Sequence, residues 1–358
     1  MPQPIIVKFM AKKLRAETTP AWRRQLPDAA PEWGACRFEF DPELREYDWL
    51  VAYDDLSPVG PEKFSLRKET LACPRERTIL VTAEPSSIKC YNRDYCAQFD
   101  LVISHHEPWA IEHPNLLYTQ TGYPWFYGRG DNGVLSYDEI SKRAPVRKPS
   151  LISTVCSAKQ DPDTLQRQRF EFTARLQEAL PEIDRFGKGV RLLDDKAEVL
   201  DGYRYHVTIE NDVAPHYFTE KLVDPFLGLS LPFYFGCPNA ADYFPEQSFI
   251  PIDIFDFEGS LAIVRQAIEE DAYEQLLPHL REARRRVLEE HNLFALLARE
   301  IESRHAGTAS AGAKGERILS RRALRNSGPM VFLRTVWEKE QLRRKVARRR
   351  KPGLQEGH

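Results

Sequence analysis

Residues 203–236 read YRYHVTIENDVAPHYFTEKLVDPFLGLSLPFYFG, and the order of structures that they predict decides the fold class. The apolar and aromatic side chains at 203–209 are typical of a strand, and residues 210–218 have no regular pattern. Thr219 is a residue type that caps helices, and the run at 231–236 predicts the next strand. Strand, loop, helix and strand in this order indicate a parallel α/β sheet, in which ligands bind at the carboxyl ends of the strands.

Similar short apolar runs recur along the chain, each followed by a polar or Pro-containing loop. They span residues 5–10, 48–53, 77–84 and 100–105 in the N-terminal half, and residues 150–157, 183–189 and 248–253 in the C-terminal half. Continuous apolar runs suit parallel strands covered on both faces. Segments 164–180 and 260–305 predict helices.

We therefore predict two doubly wound, Rossmann-like α/β domains facing a cleft, followed by a basic helical tail. The predicted bounds are 1–145, 146–305 and 306–358. Residues 123–150, rich in Gly, Pro, Arg and aromatic side chains, are expected to link the domains, and residues 305–315 to form a flexible joint.

The composition is that of a globular protein. The 358 residues are 42% apolar and 29% charged, and no span of about 20 apolar residues predicts a membrane helix. The first residues lack the apolar run of a secretory signal. The six cysteines are scattered without a C-x-x-C pair, which favours free thiols in a reducing compartment. We expect a cytoplasmic protein.

The net charge of -2 conceals a basic C-terminal segment. Residues 314–351 hold 14 Lys or Arg and 3 Asp or Glu, which leaves 37 basic and 50 acidic residues elsewhere. Met330, Phe332 and Trp337 lie among these cations. The mixture favours an interfacial helix on an anionic membrane surface, which would place the protein peripherally on the inner face of the membrane, over a specific nucleic acid. Alternatively, Phe332 and Trp337 pack on the body of the protein.

Glu220 and Lys221 stand where the loop becomes a helix. With Thr219 as N-cap, the free N–H groups of the first turn favour an anion, and Lys221 adds a positive charge where a helix dipole prefers acidic residues. Glu220 can accept hydrogen bonds from two hydroxyls of a ribose. Phosphate and ribose together indicate a nucleotide or nucleotide-sugar; a capped surface helix with a solvated Glu-Lys pair is the alternative. Pro225 is expected to bend the helix.

The order of motifs through residue 257 resembles the donor-binding half of the fucosyltransferases of glycosyltransferase family 10. The shared elements are Glu-Asn (210–211), an aromatic residue (217), Thr-Glu-Lys (219–221), a proline (225), an aromatic run ending in Gly (233–236), Phe-Pro (244–245) and Ser-Phe-Ile (248–250). Upstream, RFEFTARL (169–176) and DRFGKG (184–189) resemble the family's Arg-containing helix and its Asp-x-x-Gly element. The N-terminal half is only faintly similar.

The resemblance implies a GT-B architecture with a GDP-sugar in the C-terminal domain and the acceptor in the N-terminal domain. Glu220 would bind the ribose hydroxyls, while Lys221 and Arg169 would neutralise the diphosphate. Asn211 and Tyr217 occupy positions of further donor contacts. Such cations stabilise a nucleoside diphosphate leaving group without a bound metal, so no metal or other cofactor is expected. A solvated helical Arg is the alternative interpretation of Arg169.

Family members invert the anomeric centre, which in a direct displacement calls for a carboxylate that deprotonates the acceptor hydroxyl. Glu84, in ILVTAEPSS, resembles the Glu-containing loop that the family uses, although relatives often place one residue between Glu and Pro. Capping of a loop is the alternative role of Glu84. Glu107 is the next candidate base.

Two other clusters contain residue types that bind metals, but their sequence context predicts no metal site. Adjacent His105 and His106 point in different directions on a strand or a helix, so SHHEPW (104–109) is interpreted as a polar loop. Asp54 and Asp55 resemble the metal-binding aspartates of another glycosyltransferase fold, but after an apolar strand they favour a role in a loop or in helix capping.

The sequence thus predicts an inverting glycosyltransferase that moves a sugar, with L-fucose as the expected one, from a GDP donor to a hydroxyl of a cell-surface glycan or lipopolysaccharide precursor. The same scaffold with a different nucleotide-sugar donor is one alternative. A non-catalytic polyanion-binding or scaffold protein acting through the basic tail is the other.

Overall fold

The protein forms two compact units, each built on a mainly parallel sheet. The computed structural model describes residues 3–27, 30–131, 133–143, 147–159, 164–306 and 315–350. One unit comprises residues 1–20, 31–121 and 297–358, and is called the N-terminal unit below. The other, the C-terminal unit, comprises residues 21–30 and 122–296.

Strands and helices alternate along both units. The strands of the described residues are β1 (Ile5–Ala11), β2 (Glu32–Trp33), β3 (Cys36–Glu39), β4 (Trp49–Tyr53), β5 (Lys68–Thr70), β6 (Thr78–Val81), β7 (Leu101–Ser104), β8 (Leu116–Tyr118), β9 (Arg129–Gly130), β10 (Gly133–Val134), β11 (Ser150–Val155), β12 (Ile183–Phe186), β13 (Tyr203–Ile209), β14 (Leu231–Phe235), β15 (Ile250–Pro251) and β16 (Arg317–Leu319). The α-helices are α1 (Thr19–Arg23), α2 (Arg93–Cys96), α3 (Tyr137–Lys142), α4 (Gln166–Ala179), α5 (Glu198–Asp201), α6 (Glu220–Leu227), α7 (Phe257–Glu269), α8 (Ala272–Glu289), α9 (Leu293–His305), α10 (Arg321–Arg325) and α11 (Pro329–Arg350).

The sheet of the N-terminal unit has the order β2-β3-β1-β4-β6-β7-β8. Its strands pair in parallel except β2, which is antiparallel to β3. The central strands β4, β6 and β7 are buried along their whole length, as their continuous apolar sequences predict. The order in which strands are added to this sheet reverses between β1 and β4: β3 lies on one side of β1, and β4 and the later strands lie on the other.

The sheet of the C-terminal unit has the order β12-β11-β13-β14-β15, with every pair parallel. The predicted α/β class with parallel, doubly wound sheets is therefore confirmed. Strand order reverses between β11 and β13, and in open α/β sheets such a reversal opens a crevice beyond the carboxyl ends of the two strands. The loop 210–218 begins at that edge.

The segment predicted as a link between domains is folded into the C-terminal unit. Ser136 caps α3 by accepting a hydrogen bond from the backbone N–H of Glu139, whose carboxylate accepts one from the backbone N–H of Ser136. Ile140 is fully buried in the core of this unit. The predicted boundary at 145/146 lies outside the described residues, as does most of the predicted joint at 305–315.

The basic C-terminal segment belongs to the N-terminal unit rather than forming a separate tail. Strand β16 pairs antiparallel with β5, with Ile318 opposite Glu69, and Ile318 is fully buried in the core of the unit. The sequence pattern did not reveal this strand, because three residues are too few to show a period.

Helix α11 packs on the N-terminal unit along one face. Thr335 accepts a hydrogen bond from Asn92, Glu338 accepts one from the backbone N–H of Arg93 at 2.8 Å, and Leu342 is buried. Five large apolar side chains of the same helix are exposed: Met330, Phe332, Leu333, Val336 and Trp337. No helix of the described residues is long and apolar enough to cross a membrane.

Candidate functional site

The start of α6 lies beyond the carboxyl end of β13. Thr219 is the N-cap, and its side chain accepts a hydrogen bond from the backbone N–H of Lys221. Pro225 cannot donate to the carbonyl of Lys221, its partner in a regular helix. That carbonyl instead accepts a hydrogen bond of 2.7 Å from the hydroxyl of Thr208 in β13. The proline thus leaves a backbone group of Lys221 available to the neighbouring strand.

Glu210, which directly follows β13, organises this helix start. Its carboxylate is fully buried and accepts hydrogen bonds from the backbone N–H and the hydroxyl of Thr219, both at 2.8 Å. It also lies 3.3 Å from the ammonium of Lys221. A Cβ at Gly236 would lie 2.5 Å from Cγ of Glu210, so the glycine of the YFG run leaves room for this side chain.

Lys221 is bound by several oxygen atoms. Its ammonium lies 3.2 Å from Glu220, 3.3 Å from Glu210 and 2.9 Å from the hydroxyl of Thr219. Burial lowers the pKa of Lys221 and so does Arg169, but the two carboxylates outweigh them and the pKa is raised. Lys221 is therefore a fixed positive charge.

Glu220 is held as an anion. Burial raises its pKa, but Lys221 and then Lys196 oppose this effect, and together with hydrogen bonds they bring the pKa down to about 2. The Glu220 side chain is 14% exposed and lies 4.0 Å from Lys196. The carboxylate can therefore accept hydrogen bonds from a ligand at neutral pH.

Arg169 contributes a second buried cation to the site. It lies in α4, and its Nη1 donates a hydrogen bond to Oδ1 of Asn211. The start of α4 is tied to the same loop, because the backbone N–H of Leu165 donates to the carbonyl of Asn211 at 3.0 Å. The Arg169 side chain is 9% exposed, and its Nε has no hydrogen-bond partner among the described residues. A buried guanidinium with a spare donor is suited to an anionic ligand.

Lys196 and Asp224 form a neighbouring ion pair that the sequence interpretation missed. Their charged atoms are 2.9 Å apart, and Asp224 also accepts a hydrogen bond from the backbone N–H of Phe126 at 3.0 Å. Burial raises the pKa of Asp224, an effect that Lys196 opposes. Asp224 follows Glu220 by four residues, so both lie on one side of α6. This spacing could have indicated from the sequence that Asp224 lies near the site.

The structure brings four of the predicted donor residues together: Arg169, Asn211, Glu220 and Lys221. Tyr217, the fifth, is buried in the same unit, with its ring 6.2 Å from that of Tyr123. Glu210 was recognised only as part of the Glu-Asn motif, and its role as the partner of Thr219 and Lys221 was missed. The roles assigned to these residues in donor binding remain predictions.

Glu84 lies in the N-terminal unit, three residues beyond β6. Its side chain is exposed, and its backbone carbonyl lies 2.6 Å from Nε2 of His106. Burial lowers the pKa of His106 to about 4, so this imidazole is neutral at pH 7 and donates to the carbonyl. The exposed carboxylate of Glu84 is available to a substrate.

The two histidines of 104–109 and the aspartates at 54–55 contact other protein groups. His105 Nδ1 lies 3.3 Å from the hydroxyl of Thr121, and the rings of His105 and His106 are inclined by 53°. Asp55 accepts a hydrogen bond from the backbone N–H of Leu56. No group of three or more His, Cys, Asp or Glu side chains within the described ranges is placed to hold a metal ion.

The site on the C-terminal unit therefore combines two buried cations, Lys221 and Arg169, with an ionised carboxylate, Glu220, at a helix start. Positive charges aimed at one place stabilise negative charge that develops on a leaving group. The carboxylate beside them can accept hydrogen bonds from hydroxyls. The arrangement fits a phosphorylated ligand that carries a diol.

Comparisons with known proteins single out the unit that contains this site. Residues 146–280 match the family model described as glycosyltransferase family 10 (fucosyltransferase) C-term. The predicted resemblance to this family is confirmed over that segment.

Two curated relatives are glycosyltransferases. The chain is 26% identical over 181 residues to alpha-(1,3)-fucosyltransferase B of Drosophila melanogaster. It is 29% identical over 72 residues to alpha-(1,3)-fucosyltransferase FucT of Helicobacter pylori. These matches cover 45% and 20% of this chain, and the chain spans only 39% and 15% of the lengths of those relatives.

Solved structures show weaker likenesses over longer ranges. A crystal structure of an alpha1,3-fucosyltransferase with GDP-fucose aligns with a TM-score of 0.46 at 17% identity, covering 77% of this chain and 82% of that chain. The pneumococcal O-GlcNAc transferase GtfA, in complex with UDP and GlcNAc, aligns with a TM-score of 0.40 at 12% identity, covering 64% and 53%.

Proposed function

We propose that the protein is a glycosyltransferase that transfers L-fucose from GDP-fucose to a hydroxyl of a glycan, with inversion of the anomeric centre. The observation that carries the proposal is the convergence of Arg169, Lys221 and Glu220 at the start of α6, inside the segment that matches the family 10 model. Two relatives named as alpha-(1,3)-fucosyltransferases support fucose as the sugar.

In this proposal the C-terminal unit binds the nucleotide. Glu220 accepts hydrogen bonds from the ribose hydroxyls, and Asn211 and Tyr217 supply further donor contacts. Lys221 and the free Nε of Arg169 face the diphosphate. As the sugar–oxygen bond breaks, negative charge grows on the leaving GDP, and two fixed cations lower the barrier by stabilising that charge. None of these roles requires a metal ion.

Glu84 is the proposed general base. A direct displacement needs a carboxylate that takes the proton of the acceptor hydroxyl as its oxygen attacks the anomeric carbon. Glu84 is exposed and its backbone is fixed by His106. The acceptor in this proposal is a cell-surface glycan or lipopolysaccharide precursor, bound by the N-terminal unit.

We further propose that α11 binds an anionic membrane surface. Its inner face is occupied by contacts with the N-terminal unit, whereas Leu333 and Trp337 are 60% and 62% exposed. Exposed apolar side chains among Arg and Lys are typical of helices that lie at a lipid headgroup layer. This would place the protein peripherally on the inner face of the membrane.

The donor assignment is tested by calorimetry with GDP, followed by transfer assays with a panel of nucleotide-sugars and glycan acceptors. Wild type is expected to bind GDP and to transfer fucose from GDP-fucose. Lys221→Met is expected to lose GDP binding, while the control Lys142→Met, at an exposed position of the same unit, binds like wild type. Absence of GDP binding by wild type would refute the donor assignment, and transfer from another nucleotide-sugar alone would favour the alternative donor.

The base is tested separately. Glu84→Gln is expected to bind GDP normally and to lose transfer, while Glu112→Gln, which removes another exposed carboxylate of the N-terminal unit, retains both. Transfer by Glu84→Gln at the wild-type rate would exclude Glu84 as the base. If the protein instead binds polyanions through its basic segment, and Lys221→Met does not change that binding, the results would support the scaffold alternative.

A further inference from the structure

The loop that carries Glu84 is held by a chain of contacts that begins in the C-terminal segment. Arg321, the first residue of α10, donates a hydrogen bond from Nη2 to the carbonyl of Cys90 at 2.5 Å. Its guanidinium also lies over the ring of Tyr91, 5.0 Å from the ring centre. The backbone N–H of Arg321 donates to Asp55 at 3.0 Å. Arg321 therefore contacts both the loop and the end of β4.

Tyr91 connects Arg321 to Ala83, the residue before Glu84. Its side chain is 3% exposed. The hydroxyl donates to Asp54 at 2.6 Å and accepts from the backbone N–H of Ala83 at 2.9 Å. Asp54 is itself paired with Lys89 of the same loop. One side of Glu84 is thus fixed through Tyr91 and the other through His106.

The attachment of Arg321 is itself firm. Ser320 caps α10, and its hydroxyl donates to the carbonyl of Ser65 at 2.8 Å. The preceding Leu319 exchanges two backbone hydrogen bonds with the side-chain amide of Gln98, at 2.8 and 3.1 Å. Strand β16 and the capped start of α10 thus hold the backbone of Arg321 in place.

We propose that Arg321 is a positioning residue, which acts through Tyr91 to fix the backbone of the Glu84 loop. The inference deepens the proposed function, on which the role of Glu84 as base rests. It assigns to the C-terminal segment a part in acceptor activation, in addition to the membrane role proposed for α11.

Hydrogen exchange on the full-length protein tests the contacts from Arg321 through Tyr91 to Ala83 without any assay of activity. In Arg321→Met, the amide of Ala83 is expected to exchange about tenfold faster or more, because a hydrogen bond to a loosened partner opens more often. Tyr91→Phe, which keeps the ring and removes the hydroxyl, is expected to have the same effect. The control Arg322→Met, at the exposed neighbouring position, should match wild type.

Two exchange results would overturn the inference. The first is an unchanged rate at Ala83 in Arg321→Met, whatever the rate in Tyr91→Phe. The second is a uniform increase through β6 and β7, which would mean that Arg321 only stabilises the whole unit.

Kinetics then separate positioning from general stability. Arg321→Met is expected to lower kcat for transfer about tenfold or more with GDP affinity unchanged. Arg321→Lys, which keeps a charge over Tyr91, should recover part of the loss. Equal kcat in Arg321→Met and Arg322→Met would refute the positioning role. Failure of wild type to transfer any sugar would refute the proposed function, while the exchange data would still decide on the contact chain.

Discussion

Replacement of Glu220 by Gln should destabilise the protein at neutral pH, because the amide mimics the protonated carboxyl. The pKa of Glu220 falls from 4.5 to about 2 in the folded protein, as Lys221 and Lys196 outweigh the effect of burial. The difference, about 2.5 pH units at 1.36 kcal/mol each, corresponds to about 3 kcal/mol. With only 14% of the side chain exposed, solvent screening removes little of this energy.

The sign of the pH dependence follows from the direction of the shift. A carboxyl with a depressed pKa in the folded state contributes stability above its unfolded pKa of 4.5, and that contribution is lost as the pH falls toward 2. The difference between wild type and Glu220→Gln should therefore shrink from about 3 kcal/mol at pH 7 to about 2 kcal/mol at pH 3.5.

Urea unfolding followed by circular dichroism at both pH values measures this difference. The matched control is Glu171→Gln, which breaks a surface pair with Arg167 in which Glu171 is 54% exposed. Such a pair contributes about 0.3–0.5 kcal/mol. A loss below about 1 kcal/mol in Glu220→Gln at pH 7, or a loss that is the same at both pH values, would show that Glu220 is not held as a buried anion.

Three further predictions concern other parts of the molecule. Arg169→Met should weaken GDP binding about tenfold or more, as expected for a lost charged hydrogen bond, whereas Arg167→Met should not; equal affinities by calorimetry would remove Arg169 from the site. Burial lowers the pKa of His206 to about 3, so wild type should lose stability as the pH falls below 6.5, by up to about 1.4 kcal/mol per pH unit. His206→Gln should lose less stability per pH unit in urea titrations, and equal pH dependences of wild type and variant would contradict this prediction. Trp337→Glu should reduce sedimentation with vesicles of anionic phospholipid severalfold relative to wild type, and unchanged sedimentation would argue against membrane binding by α11.

The C-terminal sheet and the start of α6 could be predicted because local sequence determines them. Continuous apolar runs identified β11, β13 and β14, and Thr219 identified the helix cap. The order of these elements then placed Glu220 and Lys221 at the ligand-binding edge of the sheet.

The remaining features of the site depend on contacts between residues distant in sequence. Glu210 gains its role only because Gly236, which directly follows the next strand, leaves space for it. Lys196 lies in an irregular segment, and nothing in its local sequence indicates that it pairs with Asp224. Strand β16 has only three residues, too few for a periodic signal.

The pairing of β16 with β5 has a consequence for synthesis on the ribosome. Domains usually fold in the order in which they emerge, but the N-terminal unit cannot bury Ile318 until the chain beyond the C-terminal unit has been made. About 200 residues separate the end of β8 from β16, which at 5–20 residues per second take about 10–40 s. During that interval all strands of the C-terminal unit are synthesised. The C-terminal unit can therefore complete its fold before the N-terminal unit does.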